Sequence, residues 1–135
     1  MSLKAVLTLP VMMERLTEIT DFVESTLLEE GVAESDSYPV HLAVDEMCNN
    51  IFSYSRAQVV TVMIETTQTD LMVTISDDGI PFNPLTVPPP DLDAGINERE
   101  PGGLGIHLVR NCLDDLSYDN QNGKNILRMV RRRHQ

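Results

Sequence analysis

Three features of this 135-residue sequence predict an α+β fold, a two-layer sandwich of a mixed, mostly antiparallel sheet with helices on one face. Near the N-terminus, apolar residues recur at helical spacing in two consecutive stretches. Runs rich in β-branched residues come in pairs joined by short turns, the signature of hairpins. The resulting order (β, α, α, β, β, loop, α, β, β) lacks the strand–helix alternation that builds a parallel sheet. An apolar fraction of 41% is that of an ordinary folded protein, and the length suits one domain over residues 1–135 with a sizeable core.

The elements follow in order. Leu3 to Leu9 has strand character, and Pro10 ends it or opens the next helix. Leu16, Ile19, Val23 and Leu27 repeat at steps of three or four, predicting an amphipathic helix to about Glu30, stopped by Gly31. Ser37 reads as the N-cap of a second helix from about Pro39 to Tyr54, with the proline just inside. Gln58 to Glu65 reads as a strand, Thr66 to Thr69 as a turn, and Leu71 to Ser76 as the return strand. Residues 79–103 hold most of the chain's eight prolines together with glycines and acids, which marks a long irregular loop. Helical spacing returns from Leu104 to Leu116. A strand around Ser117–Tyr118, a turn at Asn120–Gly123 and a strand from Asn125 to Val130 complete the chain.

Charge narrows the partners. Ten basic against 21 acidic side chains give a net charge of −11. Such a surface repels phosphate backbones and anionic lipid, so neither nucleic acid nor membrane is the expected partner. The basic end, with Arg128, Arg131, Arg132 and Arg133, reads as a solvated strand end. An acidic protein that binds a nucleotide needs a cation between itself and the phosphates. Cys48 and Cys112 sit among apolar neighbours and read as small core residues. No apolar run reaches the ~18 residues that span a bilayer, and the first residues lack the layout of a signal peptide, so the expected location is cytoplasmic.

Three constellations carry chemistry. In His41-Leu-Ala-Val-Asp-Glu46-Met-Cys-Asn49-Asn50, Glu46 and Asn50 are four apart and lie only about 40° apart around a helix. A carboxamide oxygen suits a hard cation such as Mg²⁺, and a neighbouring carboxylate can accept a proton. In Ser76-Asp77-Asp78-Gly79-Ile80-Pro81-Phe82, at a strand end, Asp77 can accept a hydrogen bond from an exocyclic amine, while Gly79 lets a flat ring approach the backbone. In Pro101-Gly102-Gly103-Leu104-Gly105-Ile106, glycines opening a helix expose backbone N–H groups to an anion. No Gly-Lys-Ser/Thr follows, so this is not a P-loop. Taken singly, each is also an ordinary feature: a polar helix face, a turn and a hinge.

Taken together, Glu-x-x-x-Asn on a helix, Asp-x-Gly-x-x-Phe after a strand and Gly-Gly-x-Gly-Ile before a helix resemble the N, G1 and G2 boxes of the GHKL ATPases, which share the Bergerat ATP-binding fold. Gly102-Gly-Leu-Gly-Ile-His-Leu-Val-Arg110, followed by Asp114, Tyr118 and Gly123-Lys-Asn125, is similar to the bacterial anti-sigma-factor serine/threonine kinases. The resemblance runs from Leu3 to the last strand. It implies that Glu46 is the general base and reaches the metal through water, and that Asn50 binds Mg²⁺. It implies that Asp77 holds the adenine amine and that Gly79 and Phe82 belong to the same ATP site. Gly102, Gly103, Leu104, Gly105 and Ile106 complete that site, with Gly103 and Gly105 cradling phosphates. Residues from about Leu85 to Pro101 form the implied lid, and Arg99 near its end is where a cation could approach the γ-phosphate.

The implied activity is transfer of the γ-phosphoryl of ATP to a serine on a STAS-domain anti-anti-sigma protein, coupled to sequestration of a sigma factor by a homodimer. Two residues depart from the pattern, Tyr54 and Asp45, and both bear on the partner surface rather than on the nucleotide roles. The alternative is a nucleotide-binding regulatory module that works by holding its partner without catalysis.

Overall fold

The computed structural model describes residues 2–83 and 109–134. The elements are β1 (Leu3–Pro10), a 3-10 turn (Met13–Arg15), α1 (Leu16–Glu29), α2 (Glu34–Tyr54), β2 (Val59–Thr66), β3 (Asp70–Asp77), β4 (Asp115–Gln121) and β5 (Lys124–Arg132). Residues 109–112 are helical. The strands form one sheet in the order β1-β2-β3-β5-β4. Every pairing among the described residues is antiparallel, so the mixed component of the expected sheet does not occur there.

Burial alternates along the inner strands, as it must when one face is covered and the other is open. Val60, Val62 and Ile64 of β2, Leu71, Val73 and Ile75 of β3, and Leu127 and Met129 of β5 all point inward. Ile19, Val23 and Leu27 of α1 meet them together with Val40, Val44, Met47 and Ile51 of α2. Each fully buried aliphatic side chain contributes roughly 1.5–3 kcal/mol, so this layer carries the stability. Cys48 is in the core, and burial, followed by the charges of Asp45 and Asp77, pushes its thiol up to about 12.

The first helix ends where Gly31 predicts. Gly31 has φ +67°, its N–H donates to the Leu28 carbonyl, and the Val32 N–H reaches the Leu27 carbonyl at 3.1 Å. This is a Schellman closure, which a residue with positive φ makes possible. The second helix departs from expectation. It begins at Glu34 behind Ala33, Ser37 is not its cap, and Pro39 lies inside it. Pro39 has no N–H for the Ser35 carbonyl four residues back. Arg131 supplies the missing donor, its Nη2 lying 3.2 Å from that oxygen.

The same arginine corrects the reading of the basic end as solvated. Its Nε donates to Asp36 Oδ1 at 3.2 Å and its Nη1 to the Cys112 carbonyl at 2.7 Å. Asp36 is buried and also receives the His134 backbone N–H at 2.9 Å. The chain end is therefore tied to the start of α2.

The helical spacing read from Leu104 to Leu116 overruns. Leu116 belongs to β4, paired with Met129 of β5. The hairpin turn is the dipeptide Asn122-Gly123, both at positive φ (53° and 77°), as a two-residue turn with Asn-Gly requires.

Candidate functional site

At one end of the inward face, the apolar alternation gives way to polar residues. Asp77 follows Leu71, Val73 and Ile75 on the same face of β3, and Asn125 precedes Leu127 and Met129 on β5. The two are direct cross-strand partners, and both are 4% exposed. Two polar residues at positions the core would fill with aliphatics open a pocket where the sheet ends. Among the described residues the enclosed cavity is small, about 20 Å³, room for little more than one water. Its walls come from α2 (Met47, Asn50, Ile51) and from Ser55 just after that helix, then from Ile75, Asp77 and Phe82, and finally from Tyr118, Asn125 and Leu127.

Asp77 Oδ1 accepts the Gly79 N–H at 2.8 Å and the Asn125 Nδ2 at 3.1 Å. Among the described residues no donor reaches its second oxygen. Across the pocket, Asn50 is 7% exposed, and among the described residues its buried Nδ2 has no hydrogen-bond partner. A buried amide left unpaired costs about 1–3 kcal/mol, a cost that a ligand offering a partner removes. Asn50 sits one residue before Ile51 and three after Met47, so the α2 stripe that builds the core also delivers the carboxamide.

Glu46 lies one helical turn before Asn50, half-buried and outside the pocket's lining. Burial, followed by the neighbouring Asp45 carboxylate, raises its carboxyl above the usual range. Asp45 in turn accepts the Thr20 hydroxyl of α1 at 3.0 Å. Gly79 stands behind the pocket wall. A Cβ there would lie 2.3 Å from the Ser55 carbonyl oxygen, so the absence of a side chain lets the loop pack onto the end of α2. The Ile80 N–H then donates to that same carbonyl at 2.7 Å.

The adjacent Asp78 points the other way and accepts the Gln58 and Val59 N–H groups at 2.8 and 3.0 Å. Those backbone donors, Val59 and then Gln58, hold its carboxyl below the usual range. The two aspartates thus divide between pocket and strand entry.

Of the residues singled out in the sequence, Asn50, Asp77 and Phe82 come together in one pocket, with Glu46 and Gly79 adjoining it. Arg99, Gly102, Gly103, Leu104, Gly105 and Ile106, with the stretch from Leu85 to Pro101, lie outside the described residues. Sequence reasoning missed Met47, Ile51, Ser55, Ile75 and Leu127 as walls, and assigned no role to Tyr118 or Asn125. An inward-facing Asn in the alternation of β5 is the signal that could have found the last of these.

Among the described residues no group of three or more His, Cys, Asp or Glu side chains could hold a metal ion by itself. Mg²⁺ does not require such a cage, since it is commonly held by one or two protein oxygens together with substrate phosphates. The Asn50 carboxamide oxygen has the chemistry for that place, and among the described residues nothing pairs its Nδ2 to hold the amide against a half-turn.

An α+β layer with a polar pocket at the sheet end, walled by a helix Asn and a strand-end Asp, defines an ATPase domain of the histidine kinase type. Residues 9–131 match the histidine kinase-like ATPase domain family, and the chain belongs to it. The serine/threonine-protein kinase BtrW of Bordetella bronchiseptica is 25% identical over 118 residues, covering 84% of this chain and 83% of that protein.

Solved structures share the fold. The RsbU and RsbW domains of Rv1364c from Mycobacterium tuberculosis align with a TM-score of 0.64 at 12% identity, over 98% of this chain and 33% of that one. The SiaB–SiaC complex from Pseudomonas aeruginosa aligns with a TM-score of 0.60 at 17% identity, over 95% of this chain and 89% of that one. The Acinetobacter baumannii histidine kinase AdeS gives a TM-score of 0.51 at 16% identity, over 97% and 68%. No helix among the described residues is long and apolar enough to cross a membrane.

Proposed function

We propose that this protein is an ATP- and Mg²⁺-dependent serine/threonine kinase of the anti-sigma-factor branch. In this reading it phosphorylates a serine on a STAS-domain anti-anti-sigma protein, sequesters a sigma factor, and acts as a cytoplasmic homodimer. The observation that carries the proposal is the buried Asn50 amide, unpartnered among the described residues, facing Asp77 across one pocket. The 25% identity to a named serine/threonine-protein kinase supports the reaction type. Two fold neighbours, one with an RsbW domain and one solved as a SiaB–SiaC complex, support a partner-binding role.

The roles divide as follows. Asp77 accepts the exocyclic amine of adenine on the oxygen that Gly79 and Asn125 leave open. Met47, Ile51, Ile75 and Leu127 give the base apolar walls and exclude water. Asn50 offers its carboxamide oxygen to Mg²⁺, which when bound neutralises phosphate charge beside a chain of net charge −11. Glu46 accepts the proton of the acceptor serine as its oxygen bonds to the γ-phosphorus and ADP leaves. Its raised carboxyl brings the base closer to neutral pH, where a general base works best. Backbone N–H groups of Gly102 to Ile106, and the cation of Arg99, complete the phosphate side.

The test is transfer from radiolabelled ATP to candidate STAS proteins by wild type and Glu46→Gln. The substitution keeps the side chain's shape and removes the base. Transfer should fall by about 10²–10⁴-fold with little change in nucleotide affinity. Wild-type protein that binds ATP yet phosphorylates no STAS partner would leave the non-catalytic regulatory module as the correct reading.

A further inference from the structure

We infer that Asn125 is the positioning residue that decides which base the pocket accepts, an inference that rests on the nucleotide reading above. Both ends of its carboxamide are consumed inside the protein. Nδ2 donates to Asp77 Oδ1 at 3.1 Å and to the Ile80 carbonyl at 2.8 Å. Oδ1 accepts the Phe82 N–H and the Asn120 Nδ2, each at 3.2 Å, as well as the Tyr118 hydroxyl. A flipped amide would set oxygen against the Asp77 carboxylate and the Ile80 carbonyl, and N–H groups against two N–H donors. The network therefore fixes one orientation.

That orientation has two consequences. With the Gly79 N–H at 2.8 Å, it saturates Asp77 Oδ1 and holds the plane of the carboxylate. The remaining oxygen is an acceptor only, so a ring edge bearing an amino group is satisfied, whereas one bearing a carbonyl meets oxygen with oxygen. A site with a committed buried polar group rejects the mismatched analogue because the group is left unpaired. The bonds to the Ile80 carbonyl and Phe82 N–H also make the segment at the pocket wall move with Asp77. Asn125 touches the ligand through neither effect; it acts through Asp77.

The experiment compares ATP with inosine triphosphate, which carries the same triphosphate and a 6-oxo group in place of the 6-amino group. Dissociation constants are measured by calorimetry in Mg²⁺ for wild type, Asn125→Ala and Asn125→Thr. Wild type should prefer ATP. In Asn125→Ala, ATP affinity should fall about tenfold or more while inosine triphosphate changes little, so the preference collapses. Threonine keeps one hydroxyl donor and should restore part of it.

A preference in Asn125→Ala equal to that of wild type, or an equal loss for both nucleotides, would overturn the inference. If the alanine variant fails to fold, a wild-type preference in Asn125→Thr overturns it instead. Wild type binding both nucleotides equally removes this inference alone; wild type binding neither removes the nucleotide reading with it.

Discussion

In the proposed reading Asp77 recognises the base, and the oxygen that no donor reaches among the described residues makes that role separable from packing. Asp77→Asn replaces an acceptor with a group that presents N–H to an incoming amine. Loss of a charge-assisted hydrogen bond costs about 1.5–3 kcal/mol, so calorimetry should show adenine-nucleotide affinity falling roughly ten- to a hundredfold. Unchanged affinity with the fold intact would make Asp77 a turn residue.

Gly79 also has a packing role, because the space of its missing Cβ is taken up by Ser55. The obstructing atom at 2.3 Å is the backbone oxygen of Ser55, which cannot swing aside. Gly79→Ala should cost about 1–3 kcal/mol by overpacking, read as a lower denaturation midpoint. Glu46 is tuned by burial and then by Asp45, so removing the second charge should lower its carboxyl. In Asp45→Asn, the acid limb of the transfer rate should move to lower pH. An unmoved limb would detach Glu46 from the proton transfer.

The elements show where sequence is legible and where it is not. The core stripe of α1 and its stop at Gly31 follow from local rules, spacing and positive φ, and the structure has both. The start of α2 does not, because Pro39 ordinarily marks a first helical turn. Here an arginine nearly a hundred residues away supplies the donor that the proline lacks, and no local pattern encodes that partner. The overrun at Leu116 has a similar cause, since Leu113 and Leu116 fit helical spacing while pairing with β5 decides the matter. In the site, Asn50 and Asp77 were legible only together with the glycine run, because the order and spacing of the three resemble the boxes of the GHKL ATPases. The apolar walls were not, because they look like any other core residue.

The latch between Asp36 and the chain end makes its own prediction. Burial alone would raise the Asp36 carboxyl, but His134 and Arg131 outweigh it and hold the carboxyl below its usual value. A folded-state value below the unfolded one, about 3.9, gives stability that is present above that pH and lost as pH falls through the folded value. Asp36→Asn should therefore flatten the loss of stability below about pH 4. At pH 7 it should cost about 1.5–3 kcal/mol, measured by denaturant unfolding.

At the scale of the whole molecule, a chain of net charge −11 places a polar pocket at the end of a one-sided core and, among the described residues, leaves the buried Asn50 amide without a partner. In the proposed reading a polyphosphate arrives with a cation, and Asn50 is the residue that would meet it. The most direct measurement is the thermal unfolding of the protein with ATP or ADP, each with and without Mg²⁺. A ligand at about 100 times its dissociation constant adds roughly 2.7 kcal/mol of apparent stability. The account predicts a clear upward shift with nucleotide and Mg²⁺, reduced when Mg²⁺ is chelated and reduced again in Asn50→Ala. No shift with either nucleotide under any of these conditions would contradict it.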